Sequence, residues 1–223
     1  MKLFFLLLCS IIFLSSCSGK YENLLKSNTA EVREFVFEGK SENVTVSLVC
    51  GKREKEYIVN GYATKLVNFG VLTFEKTDGF EDELAKFVLL VGTTKFEGDL
   101  QKNPFDMSLV ADIKTIIDKT QKVSVQLIFE NKTIDFKLVL VNKNWKVDSE
   151  KVYEILAKKV SKDIDNFIVK NEFEAEVYIK IINDFDDNVS DYYWYVCIIG
   201  RKGSRLSLII SPTTKEILAK KYL

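Results

Sequence analysis

Apolar and polar residues alternate along most of residues 31–147, and this period of two is typical of β-strands with one face in a core. The clearest stretch is 122–141, where alternate residues are apolar on both sides of Glu130-Asn131-Lys132, and it predicts a hairpin. The stretch 84–92 is apolar almost throughout, which predicts a strand buried on both faces. Further strands are predicted at 31–39, 43–51 and 69–75. The pattern favours a β-rich domain over 31–147, a β-sandwich-like fold or an open barrel.

The pattern becomes helical at Asp148. From Val152 to Ile168 apolar residues recur at steps of three and four, which predicts a helix over roughly 150–170 with its N-cap at Asp148 or Ser149. The strands predicted after this helix lie at 173–182, 192–199 and 205–211, with a tight turn at 200–204 and a short last strand at 216–220. Residues 148–223 are therefore expected to form a small α+β domain, with one helix on a three- or four-stranded antiparallel sheet.

This order of elements, together with the run LIISPTTKEIL at 208–218, resembles the PepSY-type module of bacterial exported proteins. The run departs from the usual pattern of that module at Lys215, where a glycine normally precedes the glutamate. The resemblance implies a helix-on-sheet domain. It also suggests a protease-inhibitor or chaperone-like role as one functional hypothesis, although a fold does not determine a function.

The N-terminus has the order of parts of an export signal. Lys2 precedes the apolar run 3–14, which as a helix would span about 18 Å, too short for a hydrocarbon core of about 30 Å. The following run, Leu14-Ser15-Ser16-Cys17, resembles the lipobox of bacterial lipoproteins. The resemblance implies that residues 1–16 are a signal peptide and that the Cys17 thiol is diacylated. A plain secretory signal with an incidental cysteine is the alternative.

The lipobox also implies a location and a partner. The protein would be lipid-anchored in the cell membrane and would face the extracytoplasmic side, with residues 17–30 as a tether or a short helix. Two acyl chains anchor a protein stably where one does so only marginally. The first predicted partner is therefore the membrane itself, through the lipid on Cys17.

Composition argues against several classes of function. The 32 basic and 32 acidic residues cancel, so the sequence lacks the basic footprint of a nucleic-acid-binding protein. The chain contains no histidine, which excludes serine–histidine and cysteine–histidine nucleophiles and imidazole zinc sites. It has no phosphate loop, dinucleotide fingerprint or nucleophile elbow. We therefore expect no catalytic activity, no cofactor and no nucleic-acid partner.

One acidic segment begins like a calcium-binding loop. The run DFDDNVSD at 184–191 matches the first ligand positions of an EF-hand. The match fails at Val189, where the loop requires glycine, and at Tyr195, where it requires glutamate. We expect a solvated hairpin loop there and no metal site.

Two cysteines lie far from the lipobox. Cys50 and Cys197 are each in an apolar, strand-like run. We expect two buried thiols. A disulfide between them is the alternative, because an exported protein enters an oxidising environment.

The strand at 192–199 is apolar on both faces. One face would pack on the helix, and the other would place aromatic side chains where a half-solvated sheet should be polar. Either this outer face packs on the β-rich domain, or it is an exposed patch that binds a partner. The candidate partner-binding residues are Tyr178, Tyr193, Trp194 and Tyr195.

These observations lead to one functional hypothesis and one alternative. We expect a membrane-anchored exported lipoprotein that binds a protein or a cell-envelope component without catalysis. The alternative is a carboxylate-dependent hydrolase of envelope polymers, because Asp and Glu are frequent along the chain and paired carboxyl groups can hydrolyse glycosides.

Overall fold

The structure is a computed structural model that describes residues 19–55, 63–80, 84–114, 117, 120–183 and 191–223. Strands predominate among these residues, so the β-rich α+β fold class predicted from the sequence is confirmed. The predicted signal peptide and lipobox, and residues 184–190 of the acidic segment, lie outside the described residues.

The elements are numbered in chain order. The helical ones are α1 (19–27), α2 (Ser149–Lys159), α3 (Ser161–Ile164) and a 3-10 turn at Asp165–Phe167. The strands are β1 (Thr29–Ser41), β2 (Val44–Glu54), β3 (Leu66–Lys76), β4 (Lys86–Val91), β5 (Thr94–Asp99), β6 (Gln101–Lys102), β7 (Leu109–Ile113), β8 (Val123–Ile128), β9 (Thr133–Leu140), β10 (Ile168–Val169), β11 (Glu172–Phe173), β12 (Ala175–Asn183), β13 (Tyr192–Gly200), β14 (Arg205–Ile210) and β15 (Ile217–Tyr222).

The described residues fall into two compact units. Unit 1 takes those among Met1–Val32, Glu54–Leu66 and Trp145–Leu223, and unit 2 takes those among Arg33–Arg53 and Val67–Asn144. The sequence predicts two consecutive domains that meet between 147 and 148. In the structure the chain instead contributes α1 and the start of β1 to unit 1 before it builds unit 2. It returns to unit 1 afterwards.

Unit 2 is a curled sheet with the strand order β6-β7-β3-β2-β1-β9-β8-β4-β5. β5 leads through the single residue Leu100 into β6, so the two end strands of this order are consecutive in the chain and the sheet is barrel-like. The hairpin predicted at 122–141 is confirmed, since β8 pairs antiparallel with β9 and places Val125 opposite Phe136.

Large apolar side chains fill the core of unit 2. Leu72, Phe74 and Leu127 are fully buried, and each comes from a strand with alternating buried positions. β4 follows the same rule, because Leu89 is fully buried whereas Leu90 is 40% exposed. The prediction of two buried faces for this stretch is wrong, since β4 lies in a sheet with only one face in the core.

Unit 1 is built on a sheet with the strand order β15-β14-β13-β12-β1. The four C-terminal strands form the antiparallel meander that the sequence predicts. The first residues of β1 add a fifth strand, which runs parallel to β12 with Thr29 opposite Val177. Strands so distant in sequence carry no local signal of their pairing, which is why the predicted sheet has one strand too few.

The helix predicted over 150–170 ends early. Its N-cap is Asp148, one of the two residues predicted for it, and the carboxylate accepts a hydrogen bond of 2.9 Å from the backbone N–H three residues further on. α2 stops before Val160, which leaves the helical region with φ −130° and ψ 20°. The chain continues as α3 and a 3-10 turn that bury Ile164 and Phe167. The apolar spacing therefore continues across the break, although the helix does not.

α1 attaches the N-terminal end of the described chain to unit 1. Leu25 is fully buried, and the Tyr21 hydroxyl donates a hydrogen bond of 2.6 Å to the Asp165 carboxylate. Of the two expectations for residues 17–30, the short helix is what the structure has at 19–27. None of the helices in the described part of the chain has the length and apolar composition needed to cross a bilayer.

Candidate functional site

The four predicted partner-binding residues lie on two faces of the unit 1 sheet. Trp194 pairs across neighbouring strands with Ile181 and Ile210. Its indole N–H donates to the Val147 carbonyl at 2.9 Å, and its ring packs edge-on against Trp145 with the centroids 5.3 Å apart. With 1% of its surface exposed, Trp194 is a core residue. Its grouping with the three tyrosines is wrong, because adjacent residues of a strand point to opposite faces.

The three tyrosines share the other face but differ in exposure. Tyr178 is 4% exposed, its hydroxyl donates to the Glu176 carboxylate, and the Lys180 ammonium lies 5.5 Å from the centre of its ring. Tyr193 and Tyr195 are half-buried. The structure therefore removes Tyr178 from a solvent-accessible surface, while partner binding through Tyr193 and Tyr195 stays a prediction.

Arg205 connects Tyr195 to its neighbours on this face. Its Nη2 donates to Tyr195 Oη at 2.8 Å and its Nε donates to Cys197 Sγ at 3.1 Å. Tyr195 Oη also lies 3.2 Å from Ser207 Oγ. The hydrogen bond to Tyr195, followed by the one to Cys197, raises the pKa of Arg205. These contacts fix the Tyr195 ring, so little side-chain entropy would remain to be lost on binding.

Buried carboxyl groups do not support the hydrolase alternative. Three glutamates are 0–2% exposed: Glu31, Glu54 and Glu176. Each has a partner, since the Lys180 ammonium lies 3.1 Å from Glu31, the Thr64 backbone N–H donates to Glu54, and Glu176 accepts from Tyr178. A polymer cannot reach groups at this depth. Within the described ranges, no cluster of Cys, Asp and Glu side chains is placed to hold a metal ion.

Both cysteines of the described residues are buried free thiols, each 3% exposed. Cys50 belongs to unit 2 and Cys197 to unit 1, so the structure has the two buried thiols that the sequence predicts and not the disulfide. Burial raises the pKa of Cys50 to about 12. The Cys50 thiol is therefore protonated at neutral pH, and a protonated thiol is a poor nucleophile.

We expect Cys50 in the native protein to react with iodoacetamide at least about 100-fold more slowly than in urea-unfolded protein at pH 8, because it is buried and protonated. The folded-state pKa lies above the unfolded value of about 8.5. The contribution of the Cys50 thiol to the free energy of unfolding is therefore complete below about pH 8.5 and is lost as the pH rises toward 12. Mass spectrometry of the alkylated Cys50 peptide measures the rates. Equal native and unfolded rates would contradict the burial.

A groove at one end of unit 2 is a site that the sequence analysis did not predict. Its walls are the β1–β2 turn at Glu42-Asn43, the β8–β9 turn at 130–132, the end of β3 at Lys76 and the start of β4 at Lys86. The cavity measures about 1060 Å³, near the upper limit for small-molecule pockets, about 300–1,000 Å³. A second cavity of about 670 Å³ adjoins it through the same β1–β2 turn and Lys76.

The groove has an apolar floor and a charged rim. The rings of Phe80 and Phe129 lie side by side with their centroids 6.2 Å apart. Leu84, which also lines the cavity, is 96% exposed. On the rim, the Lys132 ammonium lies 2.5 Å from the Glu42 carboxylate. This arrangement suits an apolar segment with flanking charges, which would displace water from Leu84 and from the exposed part of Phe129.

The sequence contains a weak signal for this groove. Phe80 and Leu84 lie in GFEDEL at 79–84, an acidic sequence between two predicted strands that contains two large apolar residues. The alternation of residues around Phe129 predicts the hairpin, but it does not predict which other parts of the chain lie next to the hairpin turn. Comparison of the chain with known protein families, curated proteins and solved structures gave no match.

Proposed function

We propose that the protein is an exported lipoprotein, held on the cell membrane by lipid on Cys17, that binds a protein or cell-envelope component without catalysis. The lipobox-like run ending at Cys17 supports the anchor. A helix of unit 1 follows at 19–27, so the lipid would be joined to folded protein with almost no spacer.

The groove of unit 2 is the observation that carries the binding role. It offers the exposed Leu84 and the partly buried Phe129, backed by the buried Phe80, inside a rim of charged side chains. Exposed apolar patches of this kind mark interaction sites in soluble domains. Glu42 on the rim is already engaged by Lys132, so we assign recognition, rather than general acid–base chemistry, to the charged groups.

The groove assignment predicts position-specific cross-linking. With benzoylphenylalanine in place of Leu84, we expect irradiated cells to yield a covalent adduct of defined mass. With the same residue in place of Val139, which is also a large exposed apolar side chain of unit 2, at 67%, we expect none, because Val139 does not line the groove. Gel mobility and mass spectrometry of the purified protein detect the adduct at each of the two positions.

A charge substitution provides the matched affinity test. Leu84→Glu would place a carboxylate against the bound apolar segment, and we expect at least about tenfold weaker binding of the cross-linked component. Val139→Glu introduces the same charge outside the groove and should leave binding unchanged. Equal adducts at positions 84 and 139, or equal losses in the two glutamate variants, would contradict the groove as the binding site.

A further inference from the structure

α1 determines which part of unit 1 lies next to the lipid. The helix is fixed by the buried Leu25 and by the hydrogen bond from Tyr21 to Asp165. A chain extends by at most about 3.6 Å per residue, so the segment between Cys17 and residue 19 can span no more than about 7 Å. A lipid on Cys17 would therefore hold the start of α1, and whatever surrounds it, at the membrane surface.

Several stretches of unit 1 meet around Phe167, next to the residue that Tyr21 of α1 contacts. The Phe167 ring lies 6.0 Å from the Tyr222 ring and packs against Gly200, and its carbonyl accepts the Glu174 N–H at 2.9 Å. The Tyr21 hydrogen bond to the 3-10 turn joins α1 to the same group. We call the surface that they form the α1 end of unit 1. It comprises residues 19–21, 161–174, 200–205 and 220–223.

The α1 end is basic, although the whole chain has no net charge. It contains eight Lys and Arg residues and four Asp and Glu residues, against 32 of each in the chain. Two of its acidic groups are paired internally, Asp163 with Lys220 at 3.1 Å and Glu174 with Arg201 at 3.4 Å. Its exposed lysines without an ion-pair partner among the described residues are Lys20, Lys162, Lys170, Lys202 and Lys221.

Apolar side chains accompany these lysines. Val169 is 36%, Tyr222 47% and Leu223 61% exposed. Tyrosine and lysine together are typical of the membrane–water interface, where the tyrosine ring lies at headgroup level and the lysine stem contacts apolar groups while its ammonium reaches phosphate. A surface with this composition, next to the predicted lipid, is suited to contact with the headgroup region of a bilayer.

We infer that the α1 end of unit 1 is a second membrane contact, which binds anionic phospholipid headgroups while the lipid on Cys17 holds it at the bilayer. This inference rests on the proposed lipid anchor. The reach of about 7 Å from Cys17 to residue 19 lies within the Debye length of about 8 Å at physiological ionic strength, so Lys20 would experience the negative potential of an anionic bilayer. The other four lysines belong to the same surface, which the hydrogen bond from Tyr21 to Asp165 joins to α1. In this inference, the lipid on Cys17 attaches the protein to the bilayer, and the lysines orient unit 1 on its surface.

Depth-dependent quenching tests this orientation. The full-length lipidated protein is reconstituted into vesicles of phosphatidylcholine, with or without phosphatidylglycerol, that contain a headgroup nitroxide lipid. One fluorophore is attached at Asn166→Cys, in the α1 end, and in a second preparation at Thr213→Cys, at the other end of β14. Cys50 and Cys197 are buried and remain unlabelled. In anionic vesicles we expect at least about threefold more quenching at 166 than at 213.

Two matched charge reversals complete the test. Lys162→Glu/Lys170→Glu should reduce the quenching at 166 to the level seen at 213. Lys146→Glu/Lys215→Glu makes the same change of charge near Pro212, beyond the other end of β14, where the Lys146 N–H donates to the Pro212 carbonyl. This control should leave the quenching at 166 unchanged. Quenching at 166 that is no greater than at 213, or is the same in neutral and anionic vesicles, overturns the inference. Failure of the protein to float with the vesicles overturns the lipid anchor instead.

Discussion

The substitution Trp194→Ala is expected to lower the free energy of unfolding by about 3–5 kcal/mol, the usual cost of truncating a buried tryptophan. The Trp194 ring is 1% exposed and packs edge-on against Trp145. The substitution also removes the indole N–H that donates to the Val147 carbonyl, which leaves a carbonyl in a buried site without that donor. Urea denaturation followed by far-UV circular dichroism measures the change in the midpoint.

Two further variants separate packing from the hydrogen bond. Trp194→Phe keeps an aromatic ring but loses the indole donor, so we expect an intermediate loss of about 1–3 kcal/mol. Tyr195→Phe removes only a hydroxyl from a half-buried residue on the opposite face, and we expect about 1 kcal/mol or less. A loss below about 1 kcal/mol for Trp194→Ala would contradict its place in the core.

The local elements of this fold could be predicted from the sequence. The alternation through Val125 and Phe136 predicts the β8–β9 hairpin, because paired strands with one buried face require that period. The N-cap was predictable to within one residue, Asp148 or Ser149, because a carboxylate or hydroxyl before a helical apolar pattern can accept the first free N–H groups. Both features depend only on residues close together in the chain.

Features that join distant parts of the chain could not be predicted in this way. The parallel pairing of Thr29 with Val177 brings together residues far apart in sequence, and no local pattern encodes it. The break at Val160 has no signal in the apolar spacing, which continues through it to the buried Ile164 and Phe167. The groove is formed by turns between several strands. The alternation within each strand shows which of its side chains are buried, but not which turns lie next to one another.

The position of Trp194 shows that the apolar composition of a strand does not predict which of its residues lie on the core face. A strand that is apolar on both sides predicts that both sides are covered or bind something, but not which residues belong to which side. The cross-strand pairing with Ile181 and Ile210 assigns Trp194 to the core face. The polar contacts of Arg205 and Ser207 then account for Tyr195 on the other face. The binding role proposed for this protein consequently rests on the groove of unit 2.

Replacing Cys17 by Ala is expected to abolish fatty-acid attachment and to move the protein out of the carbonate-washed membrane fraction. Each acyl methylene buried in a bilayer contributes about 0.8 kcal/mol, so even ten of them contribute about 8 kcal/mol, or about a millionfold in partition. The apolar run 3–14 is a poor substitute for this anchor, because as a helix it would span only about 18 Å of a hydrocarbon core that is about 30 Å thick. Incorporation of a clickable palmitate analogue and immunoblotting of membrane and soluble fractions measure the two effects.

Cys9→Ala is the matched control for Cys17→Ala. Cys9 precedes the predicted cleavage site and would leave with the signal peptide, so its loss should change neither labelling nor fractionation. A Cys17→Ala protein that still incorporates the analogue, or a Cys9→Ala protein that loses it, would show that Cys17 is not the attachment point. The labelling result does not depend on whether an uncleaved signal peptide retains some protein on the membrane. It therefore tests the chemistry at Cys17 itself, on which the proposed orientation of unit 1 also depends.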